Sequence, residues 1–121
     1  MNKRKGTVFL VDDDADTRAS LEEALEEIGF IVLPARHGRE AIARMKGCLP
    51  PAIAIVDLVM PDMDGWSLIQ RMKSDRDLQK IPVIVLSGKV LQAHVEGAAR
   101  VFEKPFQLDE VLRTVEKLCV L

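Results

Sequence analysis

Cysteine is scarce in this 121-residue sequence, and neither sign of charge is in large excess. The two cysteines, Cys48 and Cys119, are too few for a disulfide framework and indicate a reducing compartment. The 17 basic and 19 acidic residues leave a formal charge of −2. Because domains that bind nucleic acid usually carry a large basic excess, this balance argues against a nucleic-acid partner for the domain.

Long hydrophobic runs are also missing. After the basic start MNKRKG, the apolar stretch Val8–Val11 has only four residues and is followed directly by three aspartates. It is too short for the apolar region of a signal peptide or for a membrane span. We therefore expect a cytoplasmic protein with no membrane partner. No repeat or Pro/Gly-rich linker divides the chain, so we expect one domain over residues 1–121.

Two kinds of segment alternate along the chain. Short stretches rich in β-branched residues predict five strands, at 7–11, 30–34, 52–56, 82–86 and 99–103. Apolar stripes with helical spacing lie between or after them, and the clearest follows the last strand. Its members are Leu108, Val111, Leu112, Val115, Leu118 and Cys119. This alternation predicts an α/β fold in which helices cover both faces of a parallel sheet. The strands at 52–56 and 82–86 are apolar throughout and should be central, whereas 99–103 should be an edge.

Polar residues follow four of the five predicted strands. They are Asp12 and Asp13 after the first strand, Asp57 after the third, Ser87 after the fourth and Lys104 after the fifth. Because the carboxyl ends of parallel strands share one edge, we expect these side chains to converge where doubly wound folds bind ligands. Asp14 is a candidate N-cap for the first helix.

These residue types indicate phosphoryl chemistry. Neighbouring carboxylates repel one another by roughly a few kcal/mol per pair at an effective dielectric near 20, so they need a cation. A partial cage of oxygen ligands suits Mg²⁺, and the lack of Cys and His at these strand ends argues against zinc. With a lysine and a hydroxyl nearby, such a site can hold a phosphoryl group, and one carboxylate can be the nucleophile.

Four motifs resemble the marker motifs of response-regulator receiver domains of two-component signal transduction, including the chemotaxis regulators. They are VDDD (11–14), VDLVMPDMDG (56–65), VLSG (85–88) and EKPF (103–106). The resemblance covers essentially the whole chain. It implies a flavodoxin-like, doubly wound sheet of five strands in the order 2-1-3-4-5 with five helices. Because the interval between the last two strands is short and contains Gly88 and Gly97, we expect the fourth helix to be shortened.

The resemblance also implies a metal site and a phosphoacceptor. Asp13, Asp57 and the backbone carbonyl of Val59 would bind Mg²⁺ directly, and Asp12 would act mainly through a metal-bound water. Asp57 would accept the phosphoryl group from a sensor histidine kinase or phosphotransfer protein.

The other implied roles belong to Ser87, which would hydrogen-bond the phosphoryl group, and Lys104, which would pair with it. The Lys104–Pro105 bond would be cis. Such a domain is not an enzyme, although it assists its own phosphorylation and slow dephosphorylation, and it signals by switching the binding of a downstream partner or effector domain.

Two alternatives remain open from the residues alone. One is a phosphorylation-independent interaction module of the same fold with a degenerate site. The other is an aspartyl-nucleophile phosphatase, which Asp12, Asp14, Ser87 and Lys104 would fit but which leaves Asp57 unexplained.

The sequence departs from the family pattern in its readout region. Val101 stands three residues before Lys104, where these domains usually have Tyr or Phe, and Phe102 should face the other side of the strand. We therefore expect phosphorylation to reorder residues 88–100 as a segment. Val59 offers no hydrogen bond to an attacking water, and Lys89 can crowd it, so we expect slow dephosphorylation.

Overall fold

The computed structural model describes residues 5–47, 50–60, 63–88 and 95–119. Strands and helices alternate along these residues. The elements are β1 (Gly6–Val11), α1 (Ala15–Glu27), β2 (Phe30–Ala35), α2 (Gly38–Lys46), β3 (Ile53–Asp57), α3 (Gly65–Lys73), β4 (Val83–Ser87), β5 (Arg100–Glu103) and α4 (Leu108–Leu118).

The five strands form one parallel sheet in the order β2-β1-β3-β4-β5. This is the doubly wound, flavodoxin-like order that the resemblance implies. Every residue of β3 and β4 is buried, and β5 lies at one edge of the sheet, so the central and edge positions predicted for these strands are confirmed.

Helices cover both faces of the sheet, because alternate residues of each strand point to opposite sides. Along β1, Val8 and Leu10 belong to the core under α1 and α4, whereas Phe9 and Val11 belong to the core under α2 and α3. All four side chains are fully buried. Burying an aliphatic or phenyl side chain of this size contributes about 1.5–3 kcal/mol, so each face of β1 is a substantial source of stability.

The helical stripes are confirmed, except that two members of the last one, Leu108 and Leu118, are exposed. Val111 and Val115 of α4 are fully buried. Leu108 and Leu118, the first and last residues of α4, are 37% and 36% exposed, whereas Cys119 packs against the core. Spacing alone places all these residues on one face, but only the middle of that face is fully covered by the core under α1 and α4.

The number of helices needs a correction. Five were predicted, and the described residues contain four. The predicted shortened helix falls between β4 and β5, where residues 89–94 lie outside the described part of the chain. The flanking residues that are described form a bend at Gly88 and a turn at Glu96 and Gly97. A positive φ of 88° at Gly97 does not suit a right-handed helix.

Two of the site residues end strands instead of following them. Asp57 pairs with Leu86 in the ladder between β3 and β4, and Ser87 pairs with Glu103 in the ladder between β4 and β5. Backbone pairing therefore continues through the polar residues, and it holds both of them at the carboxyl edge of the sheet.

None of the four helices in the described part of the chain has the length and apolarity needed to cross a bilayer.

Candidate functional site

Three carboxylates meet at the carboxyl edge of the sheet, at the ends of β1 and β3. Asp12, Asp13 and Asp57 each offer an oxygen atom, and these atoms all lie within 4.8 Å of one another. Asp12 is fully buried, Asp57 is 5% exposed, and Asp13 is exposed to solvent. The predicted convergence is thus confirmed for these side chains, and the cluster opens to water on the side of Asp13.

Asp12 is held by hydrogen bonds to both of its carboxylate oxygens. Oδ1 accepts from the backbone N–H of Asp14 at 2.9 Å, and Oδ2 accepts from Nζ of Lys104 at 3.1 Å. Asp14 in turn is the N-cap of α1, as predicted, because its carboxylate accepts from the Asp16 N–H and from the Thr17 hydroxyl. The acidic triplet therefore combines a capping residue with a buried, fully engaged carboxylate.

Lys104 places its positively charged ammonium group beside the two buried carboxylates. Its Nζ lies 3.1 Å from Asp12 Oδ2 and 3.4 Å from Asp57 Oδ2, and its side chain is 22% exposed. Burial alone would lower the pKa of Lys104, but hydrogen bonds to Asp12 and the charges of both aspartates outweigh it and raise the pKa above its usual value. Lys104 therefore stays charged at neutral pH.

The surroundings of Asp57 disfavour the charged form of its carboxylate. Burial, together with the negative charge of Asp12, raises the pKa of Asp57 from 3.8 to about 6. The Lys104 ammonium and the N–H of Val59 favour the charged form but do not compensate fully. A cation added to this cluster would therefore be strongly attracted to it.

The loop after β3 begins with a close contact between backbones. The Val59 N–H donates to Asp57 Oδ1 at 3.3 Å, and the Gly65 N–H donates to the Leu58 carbonyl at 2.8 Å. A Cβ atom on Gly65 would lie 2.6 Å from the Asp57 carbonyl oxygen, so only glycine fits where α3 begins. This contact anchors the residue that follows Asp57, although the Val59 side chain itself is 60% exposed.

Ser87 is buried at the end of β4, and its backbone carbonyl accepts from the Lys104 N–H at 2.6 Å. That bond ties the end of β4 to the residue that carries the ammonium group. The Lys104–Pro105 peptide bond is cis, as the resemblance implies.

Sequence reasoning missed Arg18, which lies on α1. Its Nη1 donates to the backbone carbonyl of Asp12 at 2.6 Å. The only signal in the sequence is a basic side chain in the second turn of the helix that follows the acidic triplet, and the backbone atom it contacts leaves no mark on the residue pattern.

The cluster suits a hard divalent cation. Its ligands are carboxylate oxygens, one of them on the exposed Asp13, so protein oxygens and several waters can share the coordination sphere. Mg²⁺ prefers this combination of a few carboxylates with retained waters. The residues present therefore fit the cation that the sequence predicts.

A family model described as "Response regulator receiver domain" matches residues 8–116. The Response regulator Rre1 of Synechocystis sp. is 33% identical over 118 residues, which are 93% of this chain and 51% of that protein. The DNA-binding transcriptional regulator NtrC of Proteus hauseri is 31% identical over 119 residues, 94% of this chain and 24% of NtrC. The chain thus spans about a quarter of the length of NtrC.

A solved structure gives the same result for the fold. The receiver domain of the Francisella response regulator 1452 superposes with a TM-score of 0.84 at 27% identity, covering 94% of this chain and 96% of that one. The family match also gives no support to the aspartyl-nucleophile phosphatase. The chain therefore belongs to the response regulator receiver domain family, the phosphoacceptor domains of two-component signalling systems.

Proposed function

We propose that Asp57 is the phosphoacceptor of this receiver domain, which extends over residues 1–121. The observation that carries the proposal is the position of Lys104, whose ammonium lies between the buried carboxylates of Asp12 and Asp57. Asp57 ends the central strand β3, and its carboxylate has a pKa raised to about 6, whereas Asp13 is exposed to solvent. A carboxylate of raised pKa is a better nucleophile than an ordinary carboxylate.

In the proposed reaction, an Asp57 oxygen attacks the phosphorus of a phosphohistidine on a kinase or phosphotransfer protein. The new O–P bond forms as the P–N bond breaks, and the electron pair stays on the imidazole nitrogen, which takes up a proton. The product is an acyl phosphate, whose charge of about −2 replaces that of the carboxylate.

The chain's own side chains stabilise this added charge. Lys104 exchanges its contact with Asp57 for one with a phosphoryl oxygen, and the Ser87 hydroxyl donates to another. Asp12, Asp13 and Asp57, with the Val59 carbonyl, would hold Mg²⁺. The bound ion would neutralise charge on the phosphoryl oxygens during transfer. The protein assists its own phosphorylation and slow hydrolysis without turning over a substrate, so we do not class it as an enzyme.

A donor can approach beside Lys104. A depression of about 500 Å³ lies between the start of α1 and the segment after β5. It is lined by Asp14, Asp16, Thr17, Ser20, Lys104, Pro105 and Phe106. Its mixed polar and apolar lining supports a protein partner, and we infer that this partner is a cytoplasmic sensor histidine kinase or phosphotransfer protein.

The output of the domain is proposed to be protein binding. NtrC is named as a DNA-binding transcriptional regulator, but this chain has a formal charge of −2 and aligns with only 24% of that protein. We infer that these residues make no nucleic-acid contact themselves and that a downstream protein or effector domain reads the phosphorylated state.

Intact-mass spectrometry after incubation with Mg²⁺ and a small acyl-phosphate donor tests this function. The wild type should gain one phosphoryl group that is labile to base and to hydroxylamine, and Asp57→Asn should gain none. Asp75→Asn, which changes an aspartate beyond the far end of α3, is the matched control and should label normally. Equal labelling of wild type and Asp57→Asn would contradict the proposal, and labelling in excess chelator would contradict the role of Mg²⁺.

A further inference from the structure

Arg18 reaches from α1 to the backbone of the acidic cluster. Its guanidinium donates to the Asp12 carbonyl through Nη1 at 2.6 Å, and the side chain is half-buried. A charged donor at this distance makes a strong hydrogen bond. The bond joins the second turn of α1 to the end of β1, across the capping turn at Asp14.

All three oxygens of Asp12 accept hydrogen bonds. The carbonyl accepts from Arg18, Oδ1 from the Asp14 N–H and Oδ2 from Lys104. These donors come from α1, from the turn before it and from the end of β5. Asp12 is therefore fixed in its backbone as well as in its side chain, although the carboxylate contacts alone would leave its carbonyl free to tilt.

The Asp12 carbonyl belongs to the peptide unit that joins Asp12 to Asp13. Because this unit is planar, holding its oxygen also fixes the direction in which the Asp13 backbone leaves the strand. Asp13 is exposed, so no surrounding core holds its carboxylate within 4.8 Å of Asp12 and Asp57. We propose that Arg18 is a positioning residue for the Mg²⁺ site, which holds the Asp12–Asp13 peptide so that Asp13 points into the cluster.

This inference rests on the proposed function, because the residues that Arg18 positions are the proposed Mg²⁺ ligands. The positioning role predicts a change in Mg²⁺ affinity that is opposite in sign to the change expected from charge alone. A cationic side chain close to three carboxylates repels an incoming cation, so removing only its charge would tighten Mg²⁺ binding. Removing a side chain that positions a metal ligand would instead weaken Mg²⁺ binding.

Calorimetric titration of the full chain with MgCl₂ separates these effects. Substituting an outer partner of a metal ligand typically costs about 10–100-fold in affinity, and Arg18 acts one step further away, so Arg18→Met should bind Mg²⁺ about 3–10-fold more weakly. Arg18→Lys, which keeps a cationic donor, should fall between Arg18→Met and the wild type. The Mg²⁺ concentration for half-maximal phosphorylation should shift by the same factor, with an unchanged maximal rate at saturating Mg²⁺.

Arg76→Ala is the matched control, because it removes one exposed positive charge beyond the end of α3, at the opposite edge of the sheet. It should bind Mg²⁺ like the wild type. Urea unfolding in chelator reports any loss of fold, and if Arg18→Met is too unstable, the comparison of Arg18→Lys with the wild type decides alone. Equal or tighter binding by Arg18→Met, or a lysine variant no better than methionine, would overturn the inference. Failure of the wild type to bind Mg²⁺ would instead contradict the proposed function.

Discussion

Lys104 reaches Asp57 across the intervening strand β4, and its Nζ lies 3.4 Å from Asp57 Oδ2. The proposed acceptor carboxylate is thus already paired with a cation in the unphosphorylated protein. Because the same ammonium also lies 3.1 Å from Asp12, its proposed transfer to a phosphoryl oxygen would change the charge balance at β1 and β3 together. Phosphorylation can shift conformation only through such differential contacts.

The raised pKa of Asp57 predicts a pH-dependent gain in stability for Asp57→Asn in the metal-free protein. Since the folded-state pKa of about 6 exceeds the ordinary 3.8, the proton that Asp57 binds stabilises the fold at low pH, and this contribution is lost as pH rises through 6. At pH 7 the variant should be more stable by about 1–3 kcal/mol. Urea denaturation in chelator measures the difference, which should vanish near pH 4 and shrink in saturating Mg²⁺. A constant difference from pH 4 to pH 8 would contradict this explanation.

Replacing Lys104 should destabilise the protein most at neutral pH. Lys104→Met leaves the buried carboxylates of Asp12 and Asp57 without their shared cation, which should cost about 1–3 kcal/mol at pH 7 in chelator. Mg²⁺ or a pH near 5 should restore part of that loss. Lys80→Met, at an exposed position, is the control and should change the free energy of unfolding by less than about 0.5 kcal/mol. Equal losses of unfolding free energy in the two variants would show that Lys104 does not compensate the charges of Asp12 and Asp57.

The exposed Val59 side chain predicts slow loss of the phosphoryl group. It lies two residues after Asp57 and offers no hydrogen bond to an attacking water. Val59→Asn adds a side chain that can hydrogen-bond to this water. Such a bond is worth about 1 kcal/mol and should accelerate dephosphorylation roughly fivefold. Val59→Leu keeps the position apolar and should decay like the wild type. Decay followed by intact mass tests this, and wild-type loss within seconds or no acceleration by asparagine would contradict it. Lys89, the other residue invoked for slow decay, lies outside the described residues.

The readout is predicted to involve the segment from 88 to 100. Val101 packs on the core under α2 and α3, whereas Phe102 is buried on the opposite face, so no aromatic ring occupies the usual position. Of the described residues of this segment only Val95 is buried, and segments with few apolar anchors open at low cost. Amide hydrogen exchange with and without a phosphoryl mimic and Mg²⁺ should show its largest change there, apart from the loop after Asp57, while Phe102 stays protected. Identical exchange of that segment in both states would contradict this prediction and indicate that another face of the domain carries the readout.

The fold was predictable because several independent signals agree. Strand composition, helical spacing and the apolar stretches of β3 and β4 all indicate the same parallel sheet, and the strand ends then bring Asp12, Asp57 and Lys104 together. The contact between Arg18 and the Asp12 carbonyl was not predictable, because a hydrogen bond to backbone leaves no residue pattern. Periodicity also could not show that Leu108 and Leu118 are exposed, since it reports which face of the helix is apolar and not how much of that face is covered.

The most direct test of the central claim is to locate the phosphoryl group on the chain. After phosphorylation with Mg²⁺ and a small donor, borohydride reduces an acyl phosphate of aspartate to homoserine, which tandem mass spectrometry of peptides can place at one residue. The proposed function predicts homoserine at position 57 and at no other aspartate, with none formed in chelator. Homoserine at position 12, 13 or 14, or none in a sample that carries the phosphoryl group, would contradict the assignment of Asp57 as the acceptor.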